Sequence, residues 1–396
     1  MSAKLHAHGF TVSLFAGYSV SVMSPLVLGL VRENLVSQSL LGLLASTTLM
    51  GSLIGALVFG RLGDLFGGAR ASTWAAWISV LFSLISAVSA SSTFFAASRI
   101  MVGLGTGAGY SLANPIASGS FPADRKGRAL VLNWGGGWFL GELGAFAAGY
   151  ICDSALGDQS WRMLSASTAL PALLVLLIGR SSAGKTQRYP VKPRQLVASP
   201  GYGRRLAFAS VNYVCEAAAF YSLSVMEPIA LSYTKFPSSF HLTMLSDTLL
   251  VTGGAAGVVA TYMLIDRKGR LWLNYVGYAA LMAVAVAIYS SRGPQALFHV
   301  IPLEFAAQLV SWFGPSVTAN IILSELWPPE VTGTAAGISS AAGRISAIVS
   351  TIIYPMLVLN SGVGVSYLYP AAFALAGLIF TRLLGVETKP DADRKP

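Results

Sequence analysis

Charged residues are scarce in this chain: Asp, Glu, Lys and Arg make up 11% of its 396 residues, against roughly a quarter in soluble domains. That shortage excludes a globule bathed in water, whose surface needs charge to stay solvated. Cysteine is scarcer still. Cys152 and Cys215 are the only two, and neither has a partner at metal-ligand spacing, so a zinc site or disulfide framework is excluded. Of the four histidines, His6 and His8 fall in an N-terminal tail, His241 in a loop and His299 at a span, which leaves no metal cluster. No cofactor is expected. The glycine runs Gly103, Gly105, Gly107 and Gly109, and Gly135–Gly137, sit inside apolar stretches, where small residues allow close helix packing and do not cradle phosphate. With no paired nucleophile and no nucleotide loop, nothing argues for an enzyme.

What is abundant is apolar sequence, 54% of the chain. A bilayer core about 30 Å thick needs roughly 20 apolar residues per helix, and twelve such runs can be placed. They cover 10–31, 38–60, 71–90, 93–117, 129–151 and 162–179, then 206–232, 243–265, 271–291, 295–323, 333–359 and 364–385. The expected fold is an all-α integral membrane protein of twelve transmembrane helices in two pseudo-symmetric six-helix halves. Residues 1–180 form the first half, 181–205 a basic linker and 206–396 the second half. The tail before the first run is too short for a cleavable leader, so the first span is expected to act as its own insertion signal.

The linker region, Arg180 to Arg205, carries Arg180, Lys185, Arg188, Lys192, Arg194, Arg204 and Arg205 with no acid, and so supplies seven of the net +10 charges. A nucleic-acid surface would need a soluble fold to present it; here the excess reports orientation instead. Arg61 and Arg70, Arg125, Lys126 and Arg128, the central seven, and Arg267, Lys268 and Arg270 fall on one side, against Arg32, Arg162, Lys235 and Arg292 on the other. By the positive-inside rule both termini are cytoplasmic, in a plasma or an organelle membrane. The linker reads as a solvated tether, with anionic headgroups as its nearest lipid contact. Glu387 to Pro396 reads as a disordered tail.

Two repeats relate the halves. Asp64 and Gly67 in Gly60-Arg-Leu-Gly-Asp-Leu-Phe-Gly-Gly-Ala-Arg70 match Asp266 and Gly269 in Asp266-Arg-Lys-Gly-Arg270 at an offset of 202. Gly119-Ser-Phe-Pro-Ala-Asp-Arg-Lys-Gly127 echoes Glu325-Leu-Trp-Pro-Pro-Glu-Val-Thr-Gly333 at an offset of 206. On these motifs the chain resembles the major facilitator superfamily over essentially its whole length. The fourth span, Arg99-Ile-Met-Val-Gly-Leu-Gly-Thr-Gly-Ala-Gly-Tyr110, and the eleventh, Gly333 to Arg344, are most similar to phosphate:proton symporters and their sugar-porter and organic-ion relatives. The resemblance implies alternating access and a cytoplasmic gate at Asp64, Asp266, Arg267 and Arg270. The first-half gate copy is degenerate, with Leu65 and Gly68 in basic positions. Phosphate-site acids are also missing: Gly109 precedes Tyr110, Ala16 and Ser19 stand at first-span acid positions, Ala217 is next to Glu216, and Ser316 replaces an Asn, while Tyr110 and Tyr221 match.

Ionisable side chains inside spans each cost at least ~2.5 kcal/mol and need a partner or a wet path. Five qualify: Arg99, Glu142, Glu216, Glu304 and Arg344. Depth from the helical rise pairs Arg99 with Glu142 and sets Glu216, Glu304 and Arg344 near the midplane. Two acids facing one cation leave a carboxyl to exchange protons, with Glu216 first, then Glu304 and Glu142, and Arg344 as counter-ion or anion ligand. Helical spacing adds Tyr18, Tyr110, Asn114, Trp138, Tyr213, Tyr221, Gln308 and Ser316 as solute-binding candidates, with Trp134 and Phe220 on the same stripes. The alternative for the charges is static helix pairing. The expected activity is proton-coupled symport of a small polar solute, an anion such as phosphate or an organic acid, by a monomer whose partners are solute, protons and lipid. An uncoupled facilitator of a sugar or organic ion, or a transport-inactive receptor or scaffold, are the alternatives.

Overall fold

The computed structural model describes residues 2–37, 40–119, 121–182, 201–225, 240–291 and 296–389, and every regular element among them is helical. The apolar runs become twelve membrane-length rods. The first half comprises α1 (Ser2–Ser21) with α2 (Met23–Arg32), α3 (Leu41–Ala45) with α4 (Thr47–Phe66), α5 (Gly68–Ala87), α6 (Ser92–Ser118), α7 (Lys126–Val131) with α8 (Gly137–Leu156), and α9 (Ser160–Ser167) with α10 (Ala169–Ser182). The second comprises α11 (Tyr202–Phe220), α12 (Phe240–Lys268), α13 (Arg270–Ser290), α14 (Ala296–Trp312) with α15 (Pro315–Glu325), α16 (Thr332–Ser366) and α17 (Leu368–Leu384). Eight of the rods are long and apolar enough to cross a bilayer by composition alone.

The helices outrun the apolar windows, because backbone hydrogen bonding continues past the lipid-facing stretch. The N-terminal tail is therefore helical from Ser2, and His8, buried in it, bonds Ser72 Oγ through Nε2 at 2.8 Å. The tenth rod, expected as one helix over 295–323, is broken. Gly314 adopts φ 109° and Pro315 starts a new helix; a ring without an N–H cannot continue a helix but suits its first turn. Gly67 and Gly269, at φ 93° and 94°, make the tight turns that close the second and eighth rods, a backbone shape that side chains resist. These two turns define the loop-side face.

Single π-helical turns interrupt the fifth rod at Leu132–Gly136 and extend the seventh at Tyr221–Val225. Such turns re-aim side chains and cluster at functional sites. Glycines bring rods into backbone contact, as expected: a Cβ at Gly107 on α6 would lie 2.6 Å from the Gly55 Cα on α4.

The halves meet along the second rod, α3 and α4, and α16. At the loop-side end a Cβ on Gly333 would lie 2.5 Å from the Gly60 carbonyl, and at the far end a Cβ on Gly42 would lie 2.8 Å from the Thr351 carbonyl. Contact at both ends makes this an occluded state. Residues 183–200, which hold Lys185, Arg188, Lys192 and Arg194 of the linker, lie outside the described residues, as do Lys235, Arg292 and 390–396. The tail was expected to be disordered from Glu387, yet Glu387–Lys389 are ordered by hydrogen bonds to the loop-side face.

Candidate functional site

The midplane of the molecule is a cage of aromatic rings around one guanidinium. The π turn at Tyr221 and the helices α6, α11 and α16 converge there, so Arg344 lies over the Tyr110, Tyr221 and Tyr213 rings at 3.9, 4.9 and 5.2 Å. Its Nη1 donates to the Tyr221 hydroxyl. Arg344 is 1% exposed, its Nε has no acceptor, and it forms no ion pair among the described residues. Tyrosine faces supply cation–π attraction, and the Glu216 carboxylate in the same lining attracts the cation without forming an ion pair with it.

The cage spans both halves. Tyr110 and Tyr221 join hydroxyl to hydroxyl at 2.9 Å, and Trp134 Nε1 donates to the Ser316 carbonyl at 3.1 Å. Trp138 packs on Tyr110 and Trp134 with centroids 5.2 and 5.1 Å apart, while Phe220 meets Trp312 at 5.4 Å. Asn320 Nδ2 donates to the Tyr213 hydroxyl at 3.2 Å. Glu216 and Ser316 complete the lining. The space these side chains leave is about 10 Å³, near the minimum that holds one water. A solute can enter only when the halves separate. Trp138 Nε1 is buried without an acceptor, a donor available to such a solute.

The structure thus gathers Glu216, Arg344, Tyr110, Trp138, Tyr213, Tyr221 and Ser316 in one cavity. It leaves out the other candidates. Asn114, one turn from Tyr110, accepts from Asn133 Nδ2 at 2.9 Å inside the first half. Tyr18 bonds Ser167 at 2.6 Å. Arg99 does not pair with Glu142: its guanidinium reaches Met23 Sδ at 3.2 Å, Thr168 Oγ1 at 3.3 Å and the Ser19 carbonyl at 3.1 Å. Glu142 is fully buried one turn beyond Trp138. Glu304 and Gln308 are buried on α14, outward of Trp312, and do not line the cavity. Sequence reasoning missed Trp312 and Asn320, although each lies one helical turn past a candidate, Gln308 and Ser316.

The two sequence repeats meet on the loop-side face, and they meet crosswise. Asp64 of the first half accepts from the Gly333 and Thr334 amides at 2.8 and 2.7 Å and from the Thr334 hydroxyl at 2.5 Å, at the start of α16. Asp266 of the second half accepts from the Arg128 amide at 3.1 Å on α7, with Arg128 and Arg270 guanidinium groups at 3.9 and 3.5 Å. Each aspartate therefore sits at the N-terminus of a helix in the other half, where amides and helix dipole favour an anion. Arg270 also forks onto Glu325 through Nη2 and Nε at 2.7 and 2.9 Å, and Thr388 Oγ1 bonds the same carboxylate at 2.6 Å. Arg267, expected among the ionic contacts, is exposed and contributes its backbone carbonyl to Lys389 Nζ at 2.9 Å.

Twelve rods in two halves, closed over a polar cage at the midplane, define a membrane transporter and not an enzyme. The chain belongs to the Major Facilitator Superfamily, whose family model matches residues 9–351. It is 25% identical to the inner membrane metabolite transport protein YgcS of Escherichia coli over 98% of this chain and 92% of that protein. It is 24% identical to the inorganic phosphate transporter PT2 of Toxoplasma gondii over 75% of this chain and 56% of that one. The solved structure of the proton:xylose symporter XylE superposes with a TM-score of 0.78 at 20% identity, covering 98% of this chain and 96% of that chain.

Proposed function

We propose that the protein is a proton-coupled symporter of a small organic anion. The observation that carries this reading is Arg344: a cation buried between the halves, held by three tyrosines and lacking an ion pair. Removing a charge from water costs several kcal/mol per ion, and an anionic solute would offset that cost. The aromatic walls suit an anion with an apolar body better than bare phosphate, and the departures from phosphate-site acids point the same way. Glu216 is the proton carrier in this reading, since it lines the cavity beside Arg344 without forming an ion pair with it. The Asp64, Asp266 and Arg270–Glu325 contacts act as the gate. The relatives' own solutes, metabolite, phosphate and xylose, include both anionic and neutral species.

The test is uptake into proteoliposomes of a labelled panel of monocarboxylate, phosphate, hexose and amino acid, with and without an imposed pH gradient. Accumulation of a carboxylate that collapses with a protonophore supports symport; equilibration indifferent to the gradient points to an uncoupled facilitator. Glu216→Gln should abolish accumulation and spare exchange. Unchanged concentrative uptake in that variant would remove Glu216 from the mechanism.

A further inference from the structure

The repeats leave a gap on the loop-side face. In the second half Arg270 and Glu325 form their buried fork, and the Glu387 carboxylate accepts from the Arg270 and Leu271 amides, the first of α13, at 3.0 Å each. The offsets of 202 and 206 carry these positions to Gly68, Ala69 and Gly119 in the first half. Two glycines stand where an ion pair stands in the other copy. A cavity of about 510 Å³ opens at that place, lined by Gly68, Gly119 and Lys126 from the first half and by Ser324, Trp327 and Thr332 from the second. Its volume lies in the ~300–1,000 Å³ range of small-molecule pockets.

We propose that this cavity is a second ligand site, which takes the carboxylate or phosphate group of a soluble metabolite or of a lipid headgroup. The Gly68 and Ala69 amides of α5 have no acceptor among the described residues, whereas their second-half counterparts hold a carboxylate. Lys126 lines the cavity with no ion pair or hydrogen bond of its own among the described residues. Trp327, stacked on Tyr202, gives the same wall an aromatic face. The two acids on the wall do not oppose an anion strongly, because both are engaged: Asp64 accepts three hydrogen bonds from α16, and Glu325 is neutralised by Arg270. Amides at a helix start together with an ammonium make an anion site. Since the lining comes from both halves, an occupant is held only while they are together there, so it stabilises the state closed on the loop side.

The experiment is the anion-dependent rise in melting temperature of the full-length protein in nanodiscs. One arm uses zwitterionic lipid with added citrate or inorganic phosphate, and the other uses phosphatidylglycerol discs without soluble anion. A rise in the first arm identifies a soluble ligand; a rise confined to the second identifies a headgroup. In either case Gly119→Glu should abolish the rise by installing a carboxylate in the cavity. The position tolerates the change, as a Cβ there meets nothing within 4 Å. Lys126→Gln should raise the half-saturating concentration about tenfold, the effect of one lost charge-assisted contact. Every arm is run in the Arg344→Gln background, which removes the central cation, so that an anion held in the central cage does not contribute to the rise. No rise in either arm, or a rise indifferent to both Gly119→Glu and Lys126→Gln, overturns the second site, and neither result depends on whether the central site couples protons.

Discussion

Neutralising the two loop-side aspartates should have unequal consequences, and in the order opposite to the one their motifs suggest. The Asp266 copy keeps the fuller basic signature, yet Asp64 is the more heavily bonded carboxylate. It accepts from two amides and a hydroxyl at 2.5–2.8 Å, whereas Asp266 accepts from one amide at 3.1 Å and faces guanidinium groups at 3.5 and 3.9 Å. An asparagine keeps one acceptor oxygen and turns an NH2 toward the remaining donors. At about 1.5–3 kcal/mol for each hydrogen bond to a charged group, Asp64→Asn should weaken the closed state by about 3 kcal/mol. That is a shift of roughly 150-fold in the closed-to-open ratio. Asp266→Asn loses about one such bond, for a shift of about tenfold. The assay uses a single cysteine at Ser340, fully buried between this contact and the central cage, in a background with Cys152 and Cys215 replaced by serine. A membrane-impermeant maleimide applied from the loop-side face reports opening. Labelling in Asp64→Asn that is no faster than in Asp266→Asn would refute the reasoning that bond count at the α16 start sets the closure.

Three further outcomes follow from the same geometry. Glu325→Gln should strand the buried Arg270 guanidinium, costing about 3–5 kcal/mol, while Arg270→Gln/Glu325→Gln should recover much of that loss; equal melting temperatures for the single and double variants would deny the coupling seen in the fork. Under the proposed anion reading, Arg344→Lys should weaken carboxylate binding at least tenfold despite retaining charge, because an ammonium gives up the planar stacking on Tyr110, and isothermal titration with a carboxylate from the uptake panel checks it. Gly42→Trp and Gly60→Trp should trap opposite states, since each fills one end of the contact between the second rod and α16; cysteine accessibility from the two faces should change in opposite directions, and parallel changes would rule out closure at both ends.

Much of the site was legible only as stripes. Spacing of three and four residues sets Tyr110 with Asn114 on one stripe, Trp138 with Trp134 on a second and Glu216 with Tyr213 on a third, because a helix repeats its faces locally; only packing brings Tyr110, Trp138, Tyr213 and Glu216 to one cavity. Depth along a helix does not say which neighbour a side chain meets, and so Arg99, at the depth of Glu142, meets Met23, Thr168 and the Ser19 carbonyl instead. Asn114 shows the same limit. It shares the stripe of Tyr110, yet the π turn at Leu132–Gly136 brings Asn133 onto it and withdraws it from the cavity.

The amino-acid sequence by itself determined the twelve spans, the two repeated halves and the membrane as solvent. Those follow from transfer free energies and helix length, which are sums over neighbouring residues and need no tertiary information. The tertiary structure alone decided which repeat element contacts which. Asp64 and Gly333 are 269 residues apart, and no local propensity links them; the crossing of the repeats follows from two similar halves packing face to face. The same packing decided that Arg344 is caged by tyrosines with Glu216 in the same lining, and that glycines at 68 and 119 leave a cavity, because an unfilled volume is a property of everything around it.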